Sequence, residues 1–231
     1  MVADLLSQRL DPDMWGHKAA RLSQVTDLGL PVPPGLCLST AGLAHGTSEA
    51  IASFRTWLEL YRPRRVVVRT SSTLEDGLER AQAGRSVSLL NCPPDASALA
   101  RVIDQDLLSP ENPESFPGGC VLVQEQVEAS LYGVAFLSKD RLLVEASPYP
   151  DGATAGMPLR MRARRDARRF RASTGSEQVP SLALTAQLHR LCQQLSAHLG
   201  FDVDVEWAWT GATVLVLQVR PITRAVLEWA S

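Results

Sequence analysis

Apolar positions recur along this chain at two periods, and the period in each stretch predicts the element it forms. From Ala19 to Leu28 the spacing is helical, with Leu22, Val25 and Leu28 on one side and Gly29 placed to close the last turn. Ser48 to Tyr61 repeats the pattern with Ile51, Phe54, Trp57 and Leu58 inward. Asp95 to Leu108 predicts a third helix, and Leu184 to Leu199, with Leu188, Leu191, Leu195 and Leu199 on one face, a fourth. Short Val- and Leu-rich runs predict strands at Arg64 to Arg69, at Ser86 to Leu90 and at Cys120 to Gln124, which continues to Val127. Val134 to Leu137 and Arg141 to Ala146 predict a hairpin. Leu30 to Thr40 is extended and stiffened by its prolines. The Pro- and Gly-rich loop after Leu108 marks a boundary between an N-terminal lobe, residues 1–118, and a C-terminal lobe, residues 119–231.

The stretch Asp202 to Thr223 carries the clearest alternation. Val203, Val205, Trp207 and Trp209 share one face of a first strand, and Asp204, Glu206 and Ala208 the other. On the second strand Leu215, Leu217 and Val219 oppose Val214, Val216, Gln218 and Arg220. Both apolar sets are odd-numbered, so they meet one core only if the loop holds an odd number of residues or a bulge corrects the parity. A three-residue loop around Gly211 puts Glu206 opposite Val216 and Gln218 opposite Asp204. Glu206 and Gln218 then become diagonal neighbours, with Arg220 two residues on. A carboxylate, an amide oxygen and a guanidinium so placed suit a hard cation and the phosphates it carries. An ordinary solvated sheet face shows the same alternation, and spacing alone does not separate the two.

Composition changes this picture little. At 231 residues the chain fits one two-lobed module or two small domains. A net charge of -2 argues for neither a nucleic-acid nor a membrane partner. Four scattered cysteines, Cys37, Cys92, Cys120 and Cys192, form no C-x-x-C pair, and with no apolar leader they point to reduced thiols in a cytoplasmic protein.

Lysine is scarce: only Lys18 and Lys139 stand against a background of arginine. Lys18 falls near the start of a predicted helix, where free N–H groups favour an anion, although a solvated lysine would read the same way. Arg69 ends a strand that opens into Thr70, Ser71 and Ser72, a string able to face a phosphate or simply to turn. Gly84 allows close backbone approach to a ligand. Seven arginines between Arg160 and Arg171 fit a strand that gathers an anion or a charged edge that deters aggregation. Neither G-x-x-x-x-G-K-[ST] nor G-x-G-x-x-G occurs, which disfavours the common nucleotide folds.

Taken together and in order, these motifs resemble the ATP-binding domain of the family of pyruvate phosphate dikinase, phosphoenolpyruvate synthase and rifampicin phosphotransferase. Gly16-His17-Lys18-Ala19 is similar to its G-G-K-G segment, and Gly29 to Thr40 to G-x-P-V-P-x-G-F-x-L-T. Val68 to Asp76 resembles V-R-S-S-A-x-x-E-D, Ala81 to Asn91 resembles S-F-A-G-Q-Y-E-T-x-L-N, and Val123 to Val127 resembles the V-Q-x-M-V hinge. Asp204 to Trp207 with Leu217 to Thr223 resembles D-I-E-W followed by L-Q-x-R-P-I-T. The resemblance implies an α/β (α+β) chain with the two-lobed ATP-grasp fold, mostly antiparallel sheets and flanking helices. It implies ATP and Mg2+ as cofactors, with phosphates on Lys18, Arg69 and Arg220, the metal on Glu206 and Gln218, and Gly84 close to the nucleotide. Gln124, Glu125 and Val127 would line the adenine pocket. His17 and Gln126 depart from the pattern, and the family's phosphohistidine domain has no counterpart in the sequence. The expected activity is therefore a kinase acting on a small-molecule acceptor. Its alternatives are half of a split dikinase serving a histidine on a partner protein, and a nucleotide sensor without turnover.

Overall fold

The computed structural model describes residues 1–40, 43, 47–73, 88–103, 118–139, 141–150, 161–166, 169–172 and 182–222. It divides into two compact units, Met1–Leu28 with Pro33–Val127, and Gly29–Val32 with Glu128–Ser231.

The first unit is built on a five-stranded antiparallel sheet in the order β1-β2-β5-β3-β4. Its strands are β1 (Val2–Asp4), β2 (Gly35–Ser39), β3 (Val66–Ser72), β4 (Ser88–Cys92) and β5 (Gly119–Glu125). One face of the sheet carries Leu36, Leu38, Val66, Val68, Val121 and Val123 into a core with Phe54, Trp57 and Leu99. The last three come from helices α3 (Thr47–Tyr61) and α4 (Ala96–Val102). Burying each such side chain contributes roughly 1.5–3 kcal/mol, so this face is the main source of the unit's stability. Asp95 starts α4, its Oδ1 accepting from the Ala98 N–H at 2.7 Å. On the other face lie the short helix α1 (Pro12–Trp15) and α2 (His17–Asp27).

The sequence predicted that Cys120 to Gln124 opens the second lobe; instead it forms β5, flanked by β2 and β3 in the first sheet. Cys120, Val121, Leu122 and Val123 are all fully buried, and a strand apolar on both faces needs neighbours on both edges and cover on both sides. The opening Val2–Asp4, too short for any period, adds a strand the sequence did not predict.

The second unit holds a six-stranded sheet in the order β11-β10-β6-β7-β8-β9. In chain order its strands are β6 (Leu131–Ser138), β7 (Arg141–Ser147), β8 (Met161–Asp166), β9 (Arg169–Ala172), β10 (Val203–Trp209) and β11 (Val214–Pro221). All neighbours are antiparallel. Helix α5 (Leu182–Leu199) packs on β6, β10 and β11, burying Leu184, Leu188, Leu191, Cys192 and Leu195. The segment Gly29–Val32 joins this unit, where the Val216 N–H donates to the Pro31 carbonyl at 2.9 Å. The four cysteines are buried and form no disulfide, and burial pushes the Cys192 thiol far up. Among the described residues no helix is long and apolar enough to cross a membrane.

Gly133 on β6 lies in register with Trp207 of β10, whose ring fills the space a side chain would take. A methyl group at Gly133 would fall 2.1 Å from the Glu145 carbonyl oxygen and 2.5 Å from Trp207 Cζ2. Gly133→Ala is therefore expected to cost about 2–3 kcal/mol of unfolding free energy. Gly211→Ala, at φ +97° with no atom within 4 Å, should cost only about 1 kcal/mol. Urea melts of the two variants side by side check the difference, and equal losses would contradict it.

Candidate functional site

The hairpin of β10 and β11 sets Glu206 directly opposite Gln218 and Asp204 directly opposite Arg220. This is closer than the diagonal relation predicted from a three-residue loop. Thr210 to Thr213 make a four-residue connection, closed by the Thr210 N–H donating to the Thr213 carbonyl at 3.2 Å. An even loop puts Val214 and Val216, not Leu215 and Leu217, on the apolar face with Trp207 and Trp209. The register then shifts between Glu206 and Trp207, with Leu217 the extra residue on β11. Past this bulge Val219 is fully buried, while Gln218 and Arg220 share the face of Asp204 and Glu206.

Asp204 was left without a role by the sequence, and the structure gives it one. Arg220 Nε donates to Asp204 Oδ2 at 2.6 Å, and Arg220 Nη2 stands 3.7 Å from Glu206 Oε1. The Asp204 side chain is 6% exposed and that of Arg220 31%, so the carboxylate is the buried partner and the guanidinium reaches outward. A buried carboxylate on a cation is compensated, whereas the same carboxylate alone would cost several kcal/mol. The signal in the sequence was an acid two residues before Glu206 on one strand face, with a basic residue at the matching position of the next strand.

Glu206 and Gln218 offer one carboxylate and one amide oxygen at a single cross-strand pair, the hard oxygen set that magnesium takes. Among the described residues no group of three or more His, Cys, Asp or Glu is placed to hold a metal ion. The pair fits a magnesium in donor chemistry, and an ion held there would need water and phosphate oxygens to complete its shell.

In the first unit Lys18 is the second residue of α2 and is 2% exposed. Its Nζ donates to the Thr70 carbonyl at 3.1 Å, one residue beyond Arg69 on β3. Ser71 fixes the helix start: its Oγ accepts from the Ala19 N–H at 3.0 Å and donates to the Trp15 carbonyl at 2.9 Å. Cys120 Sγ donates to the same carbonyl at 3.1 Å. Gly16, the N-cap at φ +78°, has no room for a side chain, because a Cβ would lie 2.2 Å from the Ser71 carbonyl oxygen. Lys18 is thus held against β3 one residue beyond Arg69, at Thr70 and Ser71 of the hydroxyl string that the sequence singled out.

Residues assigned to adenine lie at the end of β5. Gln124 is 2% exposed and its Nε2 donates to the Pro33 carbonyl at 3.2 Å. The Glu125 N–H donates to the Pro34 carbonyl at 3.0 Å, and partial burial raises its carboxyl above the usual range. Gln126 clasps Asn91, its Oε1 accepting from the Asn91 N–H at 2.6 Å and its Nε2 donating to Asn91 Oδ1 at 3.0 Å. Val127 is the last residue of the first unit. Gly84 lies outside the described residues.

No family model matches this chain, and no curated protein matches it by sequence. Solved structures do share its fold. D-alanine-D-alanine ligase from Coxiella burnetii aligns over 88% of this chain and 46% of its own, at 10% identity and a TM-score of 0.51. D-alanine-D-alanine ligase from Helicobacter pylori aligns over 90% of this chain and 55% of its own, at 14% identity and a TM-score of 0.53. The chain therefore spans about half the length of either ligase. At such identities the likeness is one of fold, and the fold is ATP-grasp: mixed α+β, with two antiparallel sheets and flanking helices.

Proposed function

We propose that this chain is an ATP- and magnesium-dependent phosphotransferase of the dikinase type, a kinase acting on a small-molecule acceptor. The observation that carries this is the Glu206–Gln218 cross-strand pair with Arg220 on the next rung, held by Asp204. Glu206 and Gln218 would hold the magnesium, which when bound neutralises phosphate charge. Arg220, oriented by Asp204, donates to phosphate oxygens and offsets charge that builds as the phosphoryl group moves. Lys18 and Arg69 are proposed as further phosphate-binding cations, and Gln124, Glu125 and Val127 as the adenine-side residues. Fixed donors of this kind contribute through position, because they need no rearrangement when the charge develops.

Ligation is the second reading, favoured by the fold shared with two D-alanine-D-alanine ligases. Phosphorus NMR of the protein with ATP and candidate acceptors separates the possibilities. ADP with a new phosphorylated acceptor supports the kinase. ADP, free phosphate and a condensed product support the ligase. AMP formed only with a separate histidine protein supports half of a split dikinase.

Glu206→Ala is expected to lower magnesium-dependent ATP turnover by about a hundredfold, on the order of 3 kcal/mol in the barrier. Steady-state rates checked against nucleotide affinity would show it, and undiminished turnover would remove Glu206 from the site.

Asp204→Asn is expected to raise the KM for Mg·ATP about tenfold, and to add little in an Arg220→Ala background, because Asp204 acts through Arg220. Kinetics of the two single variants and the double variant test this. Additive losses would mean that Asp204 acts independently.

A further inference from the structure

Asn91 and Gln126 are joined by a reciprocal pair of hydrogen bonds to which the proposed function gives no part. In the first sheet β4 and β5 lie on either side of β3 and do not pair with each other. Gln126, the residue after β5, nevertheless reaches Asn91 of β4 across the start of β3. Its Oε1 accepts from the Asn91 N–H at 2.6 Å and its Nε2 donates to Asn91 Oδ1 at 3.0 Å. Arg65, the residue before β3, closes the ring: its carbonyl accepts from the Gln126 N–H at 3.0 Å and its Nη1 donates to the Asn91 carbonyl at 3.4 Å.

A bulge in β4 makes Asn91 available for this. Val66 pairs with Cys92 and Val68 with Leu89, so Leu90 and Asn91 stand against Val67 alone. Asn91 has φ +59°, in the left-handed region that asparagine tolerates better than most residues but still at a cost. Protection of the sheet edge accounts for a bulge on β4, the outermost strand. It does not account for an amide from beyond β3 that engages both the main chain and the side chain of the bulged residue. Gln126 is also a residue at which the chain departs from the motif it resembles, and a methionine in its place has no N–H to donate and no carbonyl oxygen to accept.

What the clasp holds is the end of β5. The Glu125 N–H is engaged by the Pro34 carbonyl on one side, the Gln126 N–H by the Arg65 carbonyl on the other, and the Gln126 side chain is a third tie. Adenine carries an amino donor where guanine carries a carbonyl oxygen. A main-chain carbonyl set to accept from the amino group repels that oxygen, so one segment serves both bases only if a peptide can turn over. Turning a peptide at Gln126 would break its bond to Arg65 or pull against Asn91. Resting on the phosphotransferase reading and its adenine-side residues, we propose that Gln126, through Asn91, is a positioning residue that fixes the main chain of Glu125 to Val127 for adenine and against guanine.

The test is calorimetric titration of the full chain with Mg·AMP-PNP and Mg·GMP-PNP, for wild type, Gln126→Met, Asn91→Gly and the double variant. Glycine keeps the positive φ at position 91, so Asn91→Gly removes the side-chain bond without straining the bulge. Wild type is expected to prefer AMP-PNP, and each single variant to lower the ratio of the two affinities about tenfold. The double variant should lose no more than either single one, because the two residues act as one pair. Asn91→Asp, which still accepts from Gln126 Nε2, should keep the wild-type ratio. A loss of stability in urea melts with the ratio unchanged would make the clasp a structural tie alone and overturn the proposal. A wild type that binds both nucleotides equally, or GMP-PNP more tightly, would also overturn it. Failure of the wild type to bind either nucleotide would overturn the phosphotransferase reading and this proposal with it, an outcome distinct from an unchanged ratio.

Discussion

A single extra residue, Leu217, decides which side of the second sheet receives the polar groups of the last strand. Side chains alternate along a strand, so without the bulge Gln218 and Arg220 would be carried to the apolar face and Val219 to the polar one. Desolvating a guanidinium and an amide beneath α5 would cost far more than a local kink, so the hydrophobic set itself enforces the bulge. The oxygen pair and the Asp204–Arg220 ion pair are by-products of the requirement that Val203, Val205, Trp207, Val214, Val216 and Val219 enter one core.

The first unit reaches comparable precision by other means. There Lys18 and the start of α2 are placed by hydrogen bonds from hydroxyl, thiol and ammonium groups to main-chain carbonyls, with Ser71 joining the start of α2 to β3. Each such bond is worth only about 1 kcal/mol net, but a buried donor left unsatisfied costs more, and so the arrangement is specified by what its absence would cost. Lys18 shows this: its ammonium is buried, and the Thr70 carbonyl is one of the groups that hold it.

Much of this was legible in the residues. The helices Thr47–Tyr61 and Leu182–Leu199 appear where the helical period placed them, because long amphipathic segments carry many concordant positions. The ATP-grasp fold was reached from ordered motifs rather than from periodicity. Register was not legible: a loop of three residues and a loop of four with a bulge satisfy the same hydrophobic pattern, and the pattern does not say which forms. The membership of β5 was missed for a related reason. A run apolar on both faces announces burial but not its neighbours, and a proline-rich loop before it looked like a boundary. Asp204 stayed unassigned because its importance lies in a partner sixteen residues away.

The short segment Gly29–Val32 belongs to one unit while the chain on either side of it belongs to the other. The polypeptide thus passes from unit to unit three times, at 28/29, 32/33 and 127/128. A single cut after Val127 would not yield two intact halves, since it would strip Val216 of the carbonyl its N–H engages. The pair is inseparable by any one scission, and a gene rearrangement that moved either piece alone would carry a splinter of one and leave a gap in the other.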